Sequence, residues 1–316
     1  MKAILDVDTG TDDALALALA VKSPEIEVIG VTTVSGNVHV DKTSINSLRV
    51  LEFLGVEDVP VFRGAAKPLI KRLKTVEWVH GSDGLGDSGL PMPKRRIEDK
   101  PAPEFIVETL RGSSRGEISM IATGPLTNLA IAFLYDPEIV EKLDKLIIMG
   151  GAFSVTPWGH GNITPVSEFN IYTDPEAAKI VFESGAPITC VGLDVTTDPS
   201  ALLRKEMYEE LKRSRSRAAE LAVRVLRRFM DFIGFAMLHD PMAVALAIRP
   251  QLFEVKEYKV YVSLEEGILR GQTIADRRRF PEEAEERAEE GGRIKVATKV
   301  DGQEFLRFFI DRITSD

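Results

Sequence analysis

Only one cysteine, Cys190, occurs in the 316 residues of this chain. A lone thiol excludes an intrachain disulfide and any cysteine-rich zinc site, and it fits a reducing compartment. Its setting, Pro-Ile-Thr-Cys-Val-Gly-Leu, reads as a buried strand, so the thiol is assigned to the core and not to nucleophilic chemistry. Long apolar runs are missing as well. The nearest, residues 14–21, falls short of the ~18–20 residues that span a bilayer. No basic and apolar leader precedes the first strand, so a cytoplasmic protein without a membrane anchor is expected. Positive charge is in deficit: 40 Lys and Arg stand against 49 Asp and Glu, for a net charge of -9. That balance argues against a nucleic-acid partner. Histidine is scarce, at four residues, whereas the hydrophobic share of 44% suffices for a substantial core.

What the chain does have is acid concentrated in one place. Residues 4–13, Ile-Leu-Asp-Val-Asp-Thr-Gly-Thr-Asp-Asp, hold Asp6, Asp8, Asp12 and Asp13. The apolar start, the glycine and the following Ala-Leu alternation predict a buried strand, a tight turn and a helix. The carboxylates then fall at the carboxyl end of a strand. Two carboxylates ~5 Å apart repel by roughly 3 kcal/mol at an effective dielectric of about 20, so the cluster needs a counter-charge or shared protons. One acid would satisfy a helix N-terminus, so capping does not account for four. A hard divalent cation does, and oxygen ligands without cysteine favour Ca²⁺ or Mg²⁺ over zinc.

Further along, β-branched residues 26–34 predict a strand ending at Ser35-Gly36-Asn37, residues 39–54 a helix, and 59–62 a short strand. Residues 64–101 form a long irregular stretch with Trp78, His80 and five nearby glycines and acids, which reads as a binding loop. Helix 103–112, strand 118–122, helix 126–134 and strand 146–149 follow. A loop over 152–170, carrying Trp158, His160, Asn162, Glu168 and Asn170, is expected to bind a polar ligand. Then come helix 174–184, strand 188–193, a helix over 203–238 broken near Gly234 with a solvent-facing charged side, and a short helix 242–247. Strands 256–262 and 264–275 suggest a hairpin, 277–293 a charged surface segment, 294–300 a last strand and 303–313 a closing amphipathic helix. The alternation predicts a single α/β domain over residues 1–316, with an open, mainly parallel sheet flanked by helices. Ligands of such sheets bind beyond the carboxyl ends of the strands.

The stretch Asp6-Val7-Asp8-Thr9-Gly10-Thr11-Asp12-Asp13 resembles the N-terminal signature of the inosine-uridine preferring nucleoside hydrolases, Asp-x-Asp-Pro-Gly-x-Asp-Asp. Further segments fit in order: Ser35-Gly36-Asn37-Val38, His80-Gly81-Ser82-Asp83-Gly84-Leu85-Gly86, Thr123-Gly124-Pro125-Leu126-Thr127-Asn128, residues 161–170 and His239-Asp240-Pro241. The resemblance implies Ca²⁺ held by Asp8, Asp13, the Thr123 carbonyl and Asp240, with Asp8 as general base towards an attacking water. It implies Asp12, Asn37, Asn162, Glu168 and Asn170 on the ribose, with Met149 packed against the sugar. His239 would assist the departing base, with His80 nearby, and Asp6 would support the cluster without ligating. The implied activity is hydrolysis of a ribonucleoside to ribose and free base, of pyrimidine-preferring or broad specificity, by a homodimer or homotetramer. Two departures stand out: Thr9 replaces the usual proline, and the segment between Met149 and Asn162 is longer than in many relatives, so Trp158 and His160 could reshape base recognition. Asp6-Val7-Asp8-Thr9 also resembles the Asp-x-Asp pair of haloacid-dehalogenase-like Mg²⁺ phosphatases, although Gly10 stands where that motif has threonine. A non-catalytic nucleoside or ribose receptor is the third reading.

Overall fold

The computed structural model describes residues 1–278 and 291–315. Strand β1 (Lys2–Val7) is buried from Ala3 onwards and leads through Gly10 into helix α1 (Thr11–Val21). Helix α1 is apolar on every side beyond its first turn, as expected of a helix covered all round. Strand β2 (Glu27–Thr33), helix α2 (Val40–Leu54) and strand β3 (Val61–Arg63) complete the first parallel unit. The irregular stretch contains one short helix, α3 (Glu77–His80). Helix α4 (Ala102–Gly112), strand β4 (Ile118–Ala122), helix α5 (Thr127–Tyr135) and strand β5 (Leu143–Met149) then restore the alternation. After the next loop come helices α6 (Phe169–Thr173) and α7 (Pro175–Phe182), strand β6 (Ile188–Val191) and the single-turn helix α8 (Leu193–Thr196).

The second half departs from expectation in three places. Residues 203–238 are not one helix with a break at Gly234: strand β7 (Leu203–Arg204) precedes α9 (Lys205–Arg213) and α10 (Arg217–Phe232), and strand β8 (Phe235–Ala236) pairs back onto β7. The break falls at Ser214–Ser216 because Ser216 caps α10, accepting from the Ala218 N–H. Helix α11 (His239–Ile248) starts three residues before its expected position. Strand β9 (Phe253–Val262) does form the expected hairpin, but its partner β10 is only Thr273–Ala275, since 264–272 turn through Gly267 and Gly271 at positive φ. Strand β11 (Gly292–Val300) and helix α12 (Gly302–Thr314) close the chain. Most of the expected charged segment 277–293 lies outside the described residues.

The nine-stranded sheet has the order β10-β9-β11-β6-β5-β4-β1-β2-β3. Strands β3 to β11 in that row run parallel, β9 opposes them, and β10, antiparallel to β9, ends that edge in the common direction. Alternate residues face opposite layers: Ala3, Leu5 and Val7 meet α1, α2, α11 and α12, whereas Ile4, Met120 and Ile148 meet α4, α5 and α7. Cover on both faces explains why the central strands read as continuous apolar runs. It also leaves one open place for polar groups, the carboxyl edge where β1, β2, β4 and β5 all end.

Candidate active site

The register of the parallel strands decides which polar residues meet. Asp6 pairs with Thr32 on β2 and Ala122 on β4. Its Oδ1 accepts from Thr32 Oγ1 at 2.6 Å and Asn128 Nδ2 at 2.8 Å. Burial pushes the Asp6 carboxyl up to about 6. Asp6 lies under the cluster and ties β1, β2 and α5 together. One turn on, Thr9 links its hydroxyl to Ser47 at 2.7 Å, so α2 holds the turn that a proline would otherwise stiffen.

Asp8, Asp12 and Asp13 sit where β1 passes into α1. Four donors converge on Asp13: Gly10 N–H at 2.9 Å, Thr123 Oγ1 at 2.7 Å, Asn37 Nδ2 at 3.1 Å and Asp8 N–H at 3.3 Å. Asp8 Oδ2 accepts from the Asn37 N–H at 2.6 Å. Gly36 makes that approach possible, because a Cβ there would lie 2.1 Å from Asp8 Oδ2. From far along the chain, α11 packs against α1 and brings in Asp240. One ligand oxygen from each of Asp12, Asp13 and Asp240 falls within 4.8 Å of the others. Asp12 and Asp240 are within hydrogen-bond reach, which two carboxylates tolerate only with a shared proton or a cation between them. Burial, then the mutual repulsion, pushes Asp8 and Asp240 well above the usual carboxylate range and Asp12 up to about 7.

Three carboxylate oxygens are buried without any donor, Asp6 Oδ2 beneath the cluster and Asp8 Oδ1 and Asp12 Oδ1 within it. Orphaned, buried, all-oxygen groups fit a hard divalent cation, and the donor set contains no sulfur or ring nitrogen. The fit is to a cation of this class; the tight triad is Asp12, Asp13 and Asp240, so Asp12 joins the expected ligands Asp13 and Asp240, whereas Asp8, expected as a ligand, stands outside the triad with one buried oxygen unpaired.

A cavity of about 370 Å³ opens at the cluster, its polar lining made of Asp12, Asn37, Thr123, Asn162, Glu168, Asn170 and Asp240, with Met149 among them, while Asp8 and Asp13 do not line it. Helix α6 is what presents Glu168 and Asn170. Glu168 caps it, accepting from the Asn170 and Ile171 N–H groups, and also takes the Gly151 N–H at 3.1 Å. Asn170 Nδ2 donates to the Thr123 carbonyl at 2.7 Å and the Met149 carbonyl at 3.2 Å. His80 and His239 line the cavity together. The Thr11 N–H and hydroxyl lie 3.2 and 3.0 Å from His80 Nδ1, so that nitrogen accepts and the ring proton sits on Nε2. His239 Nδ1 lies 2.8 Å from Thr196 Oγ1. Burial pushes both imidazoles down to about 4, and for His80 the neighbouring His239 adds to the effect.

The remaining wall was not anticipated. Leu226, Phe229 and Ile233 of the α10 segment, with Phe235 and Met237, line the cavity, although the sequence reading assigned this helix only a solvent-facing charged side. The signal was present in the i, i+3, i+7 spacing of 226, 229 and 233. Thr11 and Thr196, which orient the histidines, had no signal outside the fold. Conversely, the 152–161 loop is turned away. Asp194 accepts from the N–H groups of Phe153, Val155 and Thr156 at 2.8, 2.7 and 3.2 Å, and Trp158 faces a separate hollow beside Tyr258. Neither Trp158 nor His160 lines the main cavity.

A sequence model described as inosine-uridine preferring nucleoside hydrolase matches residues 3–307. The chain belongs to that family. Like its relatives it is a hydrolase acting on N-glycosyl compounds, which removes the phosphatase and receptor readings. It is 40% identical to a pyrimidine-specific ribonucleoside hydrolase of Shewanella sp. (strain ANA-3), over 87% of this chain and 86% of that one. A plant nucleoside hydrolase superposes with a TM-score of 0.90 at 34% identity, covering 100% and 99% of the two chains. A purine-preferring ribonucleoside hydrolase from Gardnerella vaginalis superposes at 0.86, also at 34% identity, covering 99% and 98%. The nucleoside hydrolase fold thus accounts for the open parallel sheet and for an acidic site at its carboxyl edge. Among the described residues, no helix is long and apolar enough to cross a membrane.

Proposed function

We propose that this nucleoside hydrolase is a Ca²⁺-dependent enzyme that releases ribose and free base from ribonucleosides, pyrimidine ribonucleosides among them. The observation that carries the reading is the pair of unpaired, buried oxygens Asp8 Oδ1 and Asp12 Oδ1 at a cavity that two imidazoles also line. Asp13 and Asp240 would hold the cation together with Asp12, whose oxygen falls beside theirs, and with Asp8 and the Thr123 carbonyl next to them; Asp12, which lines the cavity, would also face the sugar. When bound, Ca²⁺ offsets the clustered charge and polarises the attacking water. Asp8 Oδ1 takes the water's proton, its other oxygen being committed to Asn37. Asn37 and Asn170 have their amide nitrogens engaged, which leaves their amide oxygens for ribose hydroxyls. Asn162 accepts from the Phe169 N–H and keeps its amide nitrogen. Breaking the N-glycosidic bond builds positive charge on the sugar, so carboxylates and amide oxygens around it stabilise the transition state more than the neutral substrate. His80 Nε2–H and the His239 ring, which line the same cavity, would offer hydrogen bonds to the departing base. The pyrimidine assignment draws on the 40% identical relative that carries that description. The test is release of reducing sugar from uridine, cytidine, inosine and adenosine, with and without chelator. Ribose from uridine that is lost with chelator and restored by Ca²⁺ is the expected result; no ribose from any nucleoside refutes the reading.

A further inference from the structure

Two walls of the cavity, the α3 segment carrying His80 and the helix α10, are joined at the rim by arginine. Arg228 Nη2 donates to the Trp78 carbonyl at 3.2 Å, and its Nη1 lies 3.6 Å from Asp87 Oδ2. Arg227 Nη2 reaches the Asp87 carbonyl at 3.5 Å. Asp87 is itself tied down: its Oδ1 accepts from the Ser82 N–H at 3.0 Å and hydroxyl at 2.9 Å. Its φ of 51° is uncommon for a residue other than glycine. The adjacent Gly86 N–H donates to the His80 carbonyl at 2.6 Å. A continuous set of contacts therefore runs from the α10 surface, through Asp87, to the backbone of His80. Within the same helix, Phe229 lines the cavity.

We propose that Arg228 is a positioning residue for the leaving group: by holding the Trp78–Asp87 segment against α10, it keeps the His80 Nε2–H aimed at the departing base. The proposal rests on the nucleoside hydrolase reading of the cavity and on His80 facing the base. Arginine suits the task because its planar fork serves a carbonyl and a carboxylate at once, which a lysine ammonium does less well. An exposed ion pair adds only ~0–1 kcal/mol to stability, so its loss leaves the fold standing. Misplacing a group that must meet the reacting atoms is far more damaging to rate.

The test compares R228A, R228K, H80A and the R228A/H80A double variant, all loaded with Ca²⁺, on uridine and on p-nitrophenyl riboside. The latter's leaving group departs as a stable phenolate and needs little help. R228A is expected to lower kcat/KM for uridine by about 10-fold to 100-fold and for the aryl riboside by less than about threefold, with R228K between R228A and the parent enzyme. The double variant is expected to be no worse on uridine than H80A alone, because Arg228 acts through His80. Equal losses on the two substrates, additive losses in the double variant, or unchanged uridine turnover in R228A would each overturn the proposal. Failure of the parent enzyme to release ribose from either substrate would instead overturn the underlying functional reading, and the proposal with it.

Discussion

At Asp8 the two carboxylate oxygens have different fates. Oδ2 is held by the Asn37 N–H, and Oδ1 is buried with no donor. Only Oδ1 is available to accept a proton from water, so Asp8→Asn is expected to lower kcat by about 10²-fold to 10⁴-fold, read as ribose release from uridine. Because the amide removes a repelling charge, the melting temperature of the cation-free variant should not fall below that of the parent. The histidines make a separate prediction. Both are pushed down to about 4, below the ordinary value near 6.5, so they are neutral across the physiological range and donate as neutral N–H groups. With the cation saturating at every pH, the dependence of kcat/KM on pH should therefore show no loss centred near 6.5, and activity should stay within about twofold between pH 6.5 and 8. A drop through that window would mean that an imidazolium is required. Asp8, Asp12, Asp13 and Asn37 were legible in the sequence because they lie within one strand-turn-helix segment or at the next strand end. Thr11 and Thr196 were not, since a threonine that orients a histidine has no local pattern of its own.

Elements differ in how openly they announce themselves. Helix α1 was readable from its apolar alternation, and its burial on all sides makes it sensitive: Leu17→Ala should cost about 2–5 kcal/mol by denaturant unfolding. Helix α10 was readable as a helix, but its role in the cavity wall was hidden by the arginines and glutamates on its other side. The 152–161 loop shows the reverse error. Its aromatic and histidine suggested base recognition, whereas the Asp194 carboxylate gathers three backbone N–H groups and turns the loop aside. Trp158→Ala is accordingly expected to change kcat/KM for uridine by less than about twofold, as befits a surface substitution outside the site. A larger change would restore the loop to substrate recognition. In β10, a strand expected over twelve residues shrinks to three because Gly267 and Gly271 take left-handed conformations that end pairing.

For the molecule as a whole, the buried acids couple folding to cation binding. In the cation-free protein Asp6 is raised to about 6 and Asp12 to about 7, with Asp8 and Asp240 also raised. A carboxyl whose folded pKa lies above its unfolded value favours the fold fully below about pH 4, and that contribution is lost as pH rises through the folded pKa. Cation binding requires the deprotonated cluster, so it releases protons and tightens over the same window. The histidines have the opposite sign, losing their contribution as pH falls from about 6.5 through 4, but they act alike with and without cation and largely cancel in the difference. The gap in melting temperature between the Ca²⁺-loaded and chelated protein should thus widen from pH 5 to pH 8. At saturation near 100 times the dissociation constant, the added stability is about 2.7 kcal/mol. A gap that does not depend on pH would separate the cation from the carboxylate cluster.

By itself the sequence determined the α/β alternation, the strand ends bearing polar residues and the concentration of acid after β1, because each depends on residues a few positions apart. The tertiary structure alone decided which of those ends meet. Parallel strand order brings Asn37 and Thr123 beside Asp13, and the packing of α11 on α1 delivers Asp240 and His239 from more than two hundred positions away. It also decided that α10 closes the cavity and that the 152–161 loop does not. Long-range neighbours follow from how layers stack around a shared core, and no local periodicity encodes that.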